Sequence, residues 1–260
     1  MPNLLQFNLS QFIGFAVIFA RISGVMITAP VLNDANIPPQ VKIAFSFLLS
    51  LIFFPLVAKP SVGLNPDLSF IIVTMVKELG IGVLIGFVAQ MMFAGIGLGG
   101  ELVGFQMGLG VANVFDPLTN TQVSLVGQLK TVIALMLFVG MDGHHMFIEA
   151  LVKSYDLVAP GAGVLRQGGV DAYMSLAAKM FGVGIQIGAP LIVALLAANF
   201  AIGLVARAVP QVNVFVVGYP FTIGLGLLLM TLALPFLVES IMVLHHGLEE
   251  MILSGLRALR

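Results

Sequence analysis

The chain has 260 residues, 59% of them hydrophobic and 9% charged, with a mean hydropathy of +1.10 and a net charge of −1. Soluble domains run about 45–50% apolar and roughly 25% charged, so a water-soluble enzyme and a disordered chain are excluded. A nucleic-acid binder is excluded too, because it would need a basic face.

The absence of cysteine removes disulfides, thiolate metal sites and cysteine nucleophiles together. Residues 180–206 and 208–238 carry no charge at all. Each run exceeds the roughly 20 residues needed to cross the hydrocarbon of a bilayer. The expected fold class is therefore all-α: a polytopic membrane protein of long, broken helical hairpins. The start, Met1-Pro2-Asn3-Leu4-Leu5, has no basic region, so the first apolar segment is expected to stay as a span. Zero Trp and three Tyr are few for interfacial aromatic belts. Either Phe substitutes, or much of the surface faces other protein chains.

In chain order, a first helix is expected over residues 9–31, ended by Pro30, and a second over 41–57 after the turn Asn33-Asp34-Ala35-Asn36-Ile37-Pro38-Pro39. A proline-rich connection, residues 59–67, leads to an apolar stretch from about 68 to 105. At 1.5 Å per residue that stretch is roughly 57 Å of helix, too long for one straight span. It is read either as two short spans with a reversal near Gly95–Gly100 or as one long broken helix. Glycine costs about 1 kcal/mol per interior helix position relative to alanine, and many of these glycines fall four apart, as Gly95/Gly99 and Gly100/Gly104. Small residues at that spacing let helix backbones approach closely inside membranes. Intrachain packing and an intersubunit seam are both open.

Between Glu101 and Asp116 the chain is uncharged and spaced by glycine: Phe105, Gln106, Met107, Gly108, Leu109, Gly110, Val111, Ala112, Asn113, Val114, Phe115. Irregular backbone of this kind cannot face lipid with unsatisfied peptide groups; it must be buried in protein or line a water-filled cavity. The segment, closed by the turn Asp116-Pro117, is a candidate pore-lining or plugging element, with a short packing loop as the bland alternative. Helices are expected next over 123–141 and from the break at Asp142-Gly143-His144-His145 to about 155. A polar loop, 156–169, leads to a final hairpin of helices at 170–207 and 214–246 around the turn Val209-Pro210-Gln211-Val212-Asn213. An amphipathic tail, 248–260, closes the chain.

Chemistry-bearing patterns are sparse. Asp142, His145 and Glu149 fall at i, i+3 and i+7 and share a helix face, a spacing that suits a divalent metal or a proton relay. His144 is expected to point about 100° away from His145 and so not to join them. Asp142 also sits where an N-cap belongs. No catalytic triad order, zinc-protease motif or phosphate loop is present, so no catalytic residue, metal or cofactor is expected. Charges on membrane helices are functional candidates by default, among them Arg21, Lys77, Glu78, Glu101, Lys130 and Arg207. The neighbours Lys77 and Glu78 cannot face each other, so pairing must be with other helices or other chains. Arg21, Glu101, Arg207, Pro210, Gln211 and Asn213 are expected in helix packing or at a subunit interface, with Gly95, Gly99, Gly100 and Gly104.

Several phrases together resemble the FliR family of the flagellar type III protein export gate, shared in pattern with virulence injectisomes. They are Phe19-Ala20-Arg21-Ile22-Ser23-Gly24, Ala29-Pro30 and Ile37-Pro38 with Val41-Lys42. In the middle stand Glu101, Gly104-Phe105-Gln106-Met107-Gly108, Phe115-Asp116-Pro117 and Asp142-Gly143-His144-His145. Near the end stand Ala189-Pro190-Leu191, Asn199-Phe200, Arg207, Pro210-Gln211-Val212-Asn213-Val214-Phe215, Gly218 and Pro220. The match runs through nearly the whole chain in order, and the Gln106-Met107-Gly108 wording favours the flagellar branch. A basic residue common in the family after Pro220 is absent here, which puts any charge role at Thr222 in doubt.

The resemblance implies one export-gate domain over residues 1–260, with a FliP-like part to about 169 and a FliQ-like hairpin at about 170–247. It implies a hetero-oligomeric gate with FliP and FliQ, with FlhB and FlhA nearby, in the bacterial inner membrane at the flagellar basal body. Unfolded export substrates would pass a plug loop falling on residues 106–122, and lipid would meet the outer surface. Two other readings are carried beside it: a secondary transporter with discontinuous helices at the third segment and at 184–190, and an intramembrane enzyme or metal carrier built on Asp142, His145 and Glu149.

Overall fold

The described residues of the computed structural model are 9–57, 67–111, 124–162, 167–209, 211 and 213–259, and they form seven α-helices without a strand. These are α1 (Leu9–Thr28), α2 (Pro39–Phe53), α3 (Leu68–Gln106), α4 (Leu125–Gly140), α5 (Gly143–Leu157), α6 (Gln167–Ala208) and α7 (Val214–Arg257), with a 3-10 turn at Leu109–Val111 after α3. Local chemistry sets several of the ends. Pro39 opens α2 at a position where a missing N–H leaves nothing unsatisfied. Ser124 caps α4 by accepting from the Gly127 N–H at 3.3 Å. Asp142 stands at the N-cap of α5 in the left-handed region, φ 58, and its side chain makes no cap bond.

Four helices are long and apolar enough to cross a membrane, or five if α4 and α5 together make one broken span. α3, α6 and α7 hold 39, 42 and 44 residues. At 1.5 Å per residue these are roughly 58–66 Å long, about twice the thickness of bilayer hydrocarbon.

Two expectations are corrected here. The third segment is neither a pair of spans nor a broken helix: α3 runs without interruption through Gly95–Gly100. The tail is not a separate element either, because α7 continues to Arg257. Most of the glycines of α3 serve as packing surface: Gly82, Gly86, Gly95, Gly99 and Gly100 each lie against the backbone of a neighbouring segment.

The chain divides into two compact units. The first comprises Met1–Gln90, Asp142–Ala177 and Gly247–Arg260. In it α1 lies backbone to backbone on α3: a Cβ on Gly82 would overlap the Arg21 carbonyl, and one on Gly24 the Leu79 carbonyl. Phe15 of α1 meets the rings of Phe47 and Phe54 edge-on at 5.2 and 6.2 Å, which seats α2. An ion pair between Lys153 and Glu249 ties α5 to the end of α7.

The second unit comprises Met91–Met141 and Ala178–His246. Here α3 meets α6 through Gly95 and Gly99 on one side and Gly184 and Gly188 on the other, so close that a Cβ on Gly184 would fall on the Gly95 backbone. α4 closes on α3 where Gly127 meets Gly100. A small apolar core of Val103, Met107, Val126, Leu191 and Leu195 sits beyond these contacts.

Candidate functional site

The C-terminal end of α3 is held from two sides. The Asn199 amide of α6 donates to the Gln106 carbonyl at 2.9 Å and to its side-chain Oε1 at 3.2 Å. The Thr222 hydroxyl of α7, buried, lies 3.0 Å from the Met107 carbonyl as donor, with the Tyr219 carbonyl at 3.1 Å as its other acceptor. The Met107 side chain is fully buried and rests on the bare backbone of Gly226: a Cβ there would stand 2.7 Å from its sulfur. Gly108 then turns the chain with φ +85, and the space where its side chain would project is filled by the Tyr219 ring. A left-handed residue under an aromatic ring tolerates only glycine. The three residues 106–108 are thus a fixed point, and whatever the following segment does, it does from there.

Beyond the fixed point, Leu109 packs partly buried on the apolar core. Phe105, one turn back, is 73% exposed. Of the residues expected in the plug, Asn113, Phe115, Asp116 and Pro117 lie outside the described residues, as does Pro210 of the hairpin turn. Asn199, Tyr219, Thr222 and Gly226 were not among the expected site residues. One signal was available: an amide such as Asn199 within an uncharged apolar run needs a hydrogen-bond partner.

The first unit contains a buried charge pair. Arg21 Nε and Nη2 bond Glu78 Oε2 and Oε1 at 2.6 and 3.0 Å, with both side chains at 0% exposure. The remaining polar capacity is met locally: Arg21 Nη1 donates to Ser154 Oγ at 3.0 Å, Nη2 donates to the Val158 carbonyl at 2.9 Å, and Glu78 accepts from the Gly161 N–H at 2.9 Å. The guanidinium also lies 4.2 Å from the centre of the Tyr155 ring. A charge-assisted bidentate pair with its other groups satisfied is the arrangement a buried arginine requires. Arg21 is spent entirely inside the chain. Lys77, next to Glu78 in the sequence, is exposed.

Glu101 differs. It is exposed on α3 and lines a groove of about 320 Å³ with Gly97 on the same helix and Ser124, Gly127, Gln128, Thr131 and Val132 along α4. Among the described residues it makes no ion pair. Gly95, Gly99, Gly100 and Gly104 are buried in helix contacts, whereas Arg207, Gln211 and Asn213 are exposed.

The Asp142 constellation is corrected. Both imidazoles turn toward Asp142, His145 Nδ1 at 3.5 Å and His144 Nε2 at 4.0 Å from Oδ1, with ring centres 4.2 Å apart. Left-handed backbone takes Asp142 off the helix face, so His144 joins the group and Glu149 does not. All three side chains are partly or well exposed.

Long apolar helices that bury an ion pair and pack through bare backbone define a polytopic membrane protein. The model of the bacterial export proteins, family 1, matches residues 12–247, and the chain belongs to that family. It is 33% identical over 223 residues to the flagellar biosynthetic protein FliR of Bacillus subtilis, covering 84% of this chain and 85% of the relative. The corresponding FliR of Escherichia coli is 30% identical, covering 84% and 82%. That of Pectobacterium carotovorum is 33% identical, covering 84% and 83%. The chain is a membrane-embedded component of the flagellar export apparatus.

Proposed function

We propose that this chain forms and plugs the channel through which unfolded flagellar proteins leave the cell. It would stand in the bacterial inner membrane in a hetero-oligomeric gate with FliP and FliQ, close to FlhB and FlhA. The FliP-like and FliQ-like division near residue 169 is part of the same proposal. One observation carries it: a glycine-spaced apolar segment emerges from a helix end that is pinned at residues 106–108 by α6 and α7. A stopper must move while its base does not, and the buried Met107 with its Thr222 bond supplies the base. Met107 serves here as the anchor, and the apolar constriction that expels water falls to the residues after Gly108, Leu109 and Val111 first among them. The transporter alternative called for discontinuous helices, but α3 and α6 run unbroken through the expected interruptions.

Deleting Leu109–Val111 spares the anchor. Purified with its partner chains and placed in planar bilayers, the deleted complex should pass ions at rest, well above the background of the wild-type complex. Background conductance from an intact complex would remove the plug assignment.

A further inference from the structure

Building on the export-gate proposal, we infer that the Glu101 groove receives the cationic side chain of a lysine or arginine from an adjacent subunit of the apparatus. Four observations bear on it. Glu101 is exposed, yet its surroundings are not those of a hydrated surface: Leu102 and Phe105 on α3 and Leu125, Leu129 and Val132 on α4 are all exposed and apolar. A carboxylate amid such a surface is costly unless it is protonated or paired with a cation.

Second, no cation of the described residues pairs with it. The ion pairs among those residues are Arg21–Glu78, Lys153–Glu249 and the contacts of His144 and His145 with Asp142. Lys130 is the charged group on the helix that faces it. Its side chain is buried with its stem against Gly100, and it stands in no salt bridge with Glu101. Third, the groove has room. α3 and α4 approach closely at Gly97, Gly100 and Gly127, and the groove beside that contact, about 320 Å³, admits a long unbranched stem.

Fourth, the lining chemistry suits a donor-rich head. Besides the carboxylate, the slot offers the Gln128 amide and the hydroxyl oxygens of Ser124 and Thr131. The Thr131 hydroxyl gives its proton to the Gly127 carbonyl at 2.9 Å, which leaves its lone pairs toward an incoming N–H. An ammonium or guanidinium carries three or five N–H donors and no acceptor. The Arg21–Glu78 pair answers the same problem within the chain; at Glu101 the answer comes from a neighbour.

The test uses the full chain in its complex, tagged and extracted in mild detergent. Glu101→Gln keeps shape and removes charge at an exposed position, so the chain should accumulate in membranes at the wild-type level. The amount of partner chains recovered per tagged chain should fall about tenfold, and further with Glu101→Lys, as for truncation of one partner of a buried charge pair. Suppressors that restore swimming to the Glu101→Lys strain should replace a lysine or arginine of another subunit by a neutral or acidic residue. Wild-type recovery with Glu101→Gln overturns the inference, whether lipid or protonation is then the reason. So do suppressors confined to Lys130, which would place the pairing inside this chain. Channel conductance reads the plug and partner recovery reads the slot, so either can fail without the other.

Discussion

At Arg21 and Glu78 two charges are kept out of water by six contacts, made with each other and with Ser154, Tyr155, Val158 and Gly161 of α5 and the turn that follows it. Removing one member leaves the other buried and uncompensated, which costs about 3–5 kcal/mol, whereas replacing both by apolar residues of similar volume is often near neutral. Glu78→Gln is therefore expected to lower the thermal midpoint of the detergent-solubilised complex sharply. The double variant Arg21→Met with Glu78→Met should recover most of that loss. Equal damage from the single and double changes would mean that the pair matters for something other than its own neutralisation. The charges themselves were legible in the sequence as intramembrane ions in need of partners. Which partner each would find was not, because Arg21 and Glu78 stand 57 positions apart and only the contact of α1 on α3 brings them together. Glu101 shows the same limit from the other side, since nothing in its local sequence distinguishes it from Glu78.

The helices themselves were largely legible, since apolar runs of this length leave few alternatives in a membrane. The misreading lay in glycine. Eight glycines fall in α3 between positions 80 and 104, and in a soluble helix that density argues for a break. Here the bare backbones are contact surface, and the intrinsic penalty is offset by close packing against α1, α4 and α6. The anchor at residues 106–108 was missed for a related reason: it is assembled from α6 and α7, more than 90 positions away. Gly184 gives the direct check at this scale. Its hypothetical Cβ meets the Gly95 carbonyl, carbon and Cα together, so no side-chain rearrangement can make room. Gly184→Leu should force α6 away from α3, abolish swimming, and leave the chain open to limited proteolysis within α6, whereas the same change at Gly182, which faces open space, should be mild. Equal proteolysis of the two variants would remove the seam from the account.

Across the whole molecule the burial is uneven. The most apolar stretch of α1 is 56% buried, against 11% for α6 and 17% for α7. Side chains such as Val193, Leu196, Phe200, Leu228 and Leu232 therefore project outward from the final hairpin. Lipid can cover such a surface, but so can sister chains, and the shortage of Trp and Tyr for interfacial anchoring favours the second. Expressed alone, the chain should be degraded several times faster than when co-expressed with the proposed partner chains FliP and FliQ, as read from a pulse-chase in intact cells. Equal half-lives would assign the hairpin's outer face to lipid.

The pinning of Gly108 bounds where a seal can form in the proposed gate. Met107 is held by Thr222 and Gly108 lies under the Tyr219 ring. Each further residue adds at most about 3.6 Å of reach, so Val111, three positions on, stays within roughly 11 Å of that post in any arrangement of the backbone. A closure made by Leu109 and Val111 is therefore made beside α7, and a substitution at Tyr219 would loosen it without touching either residue.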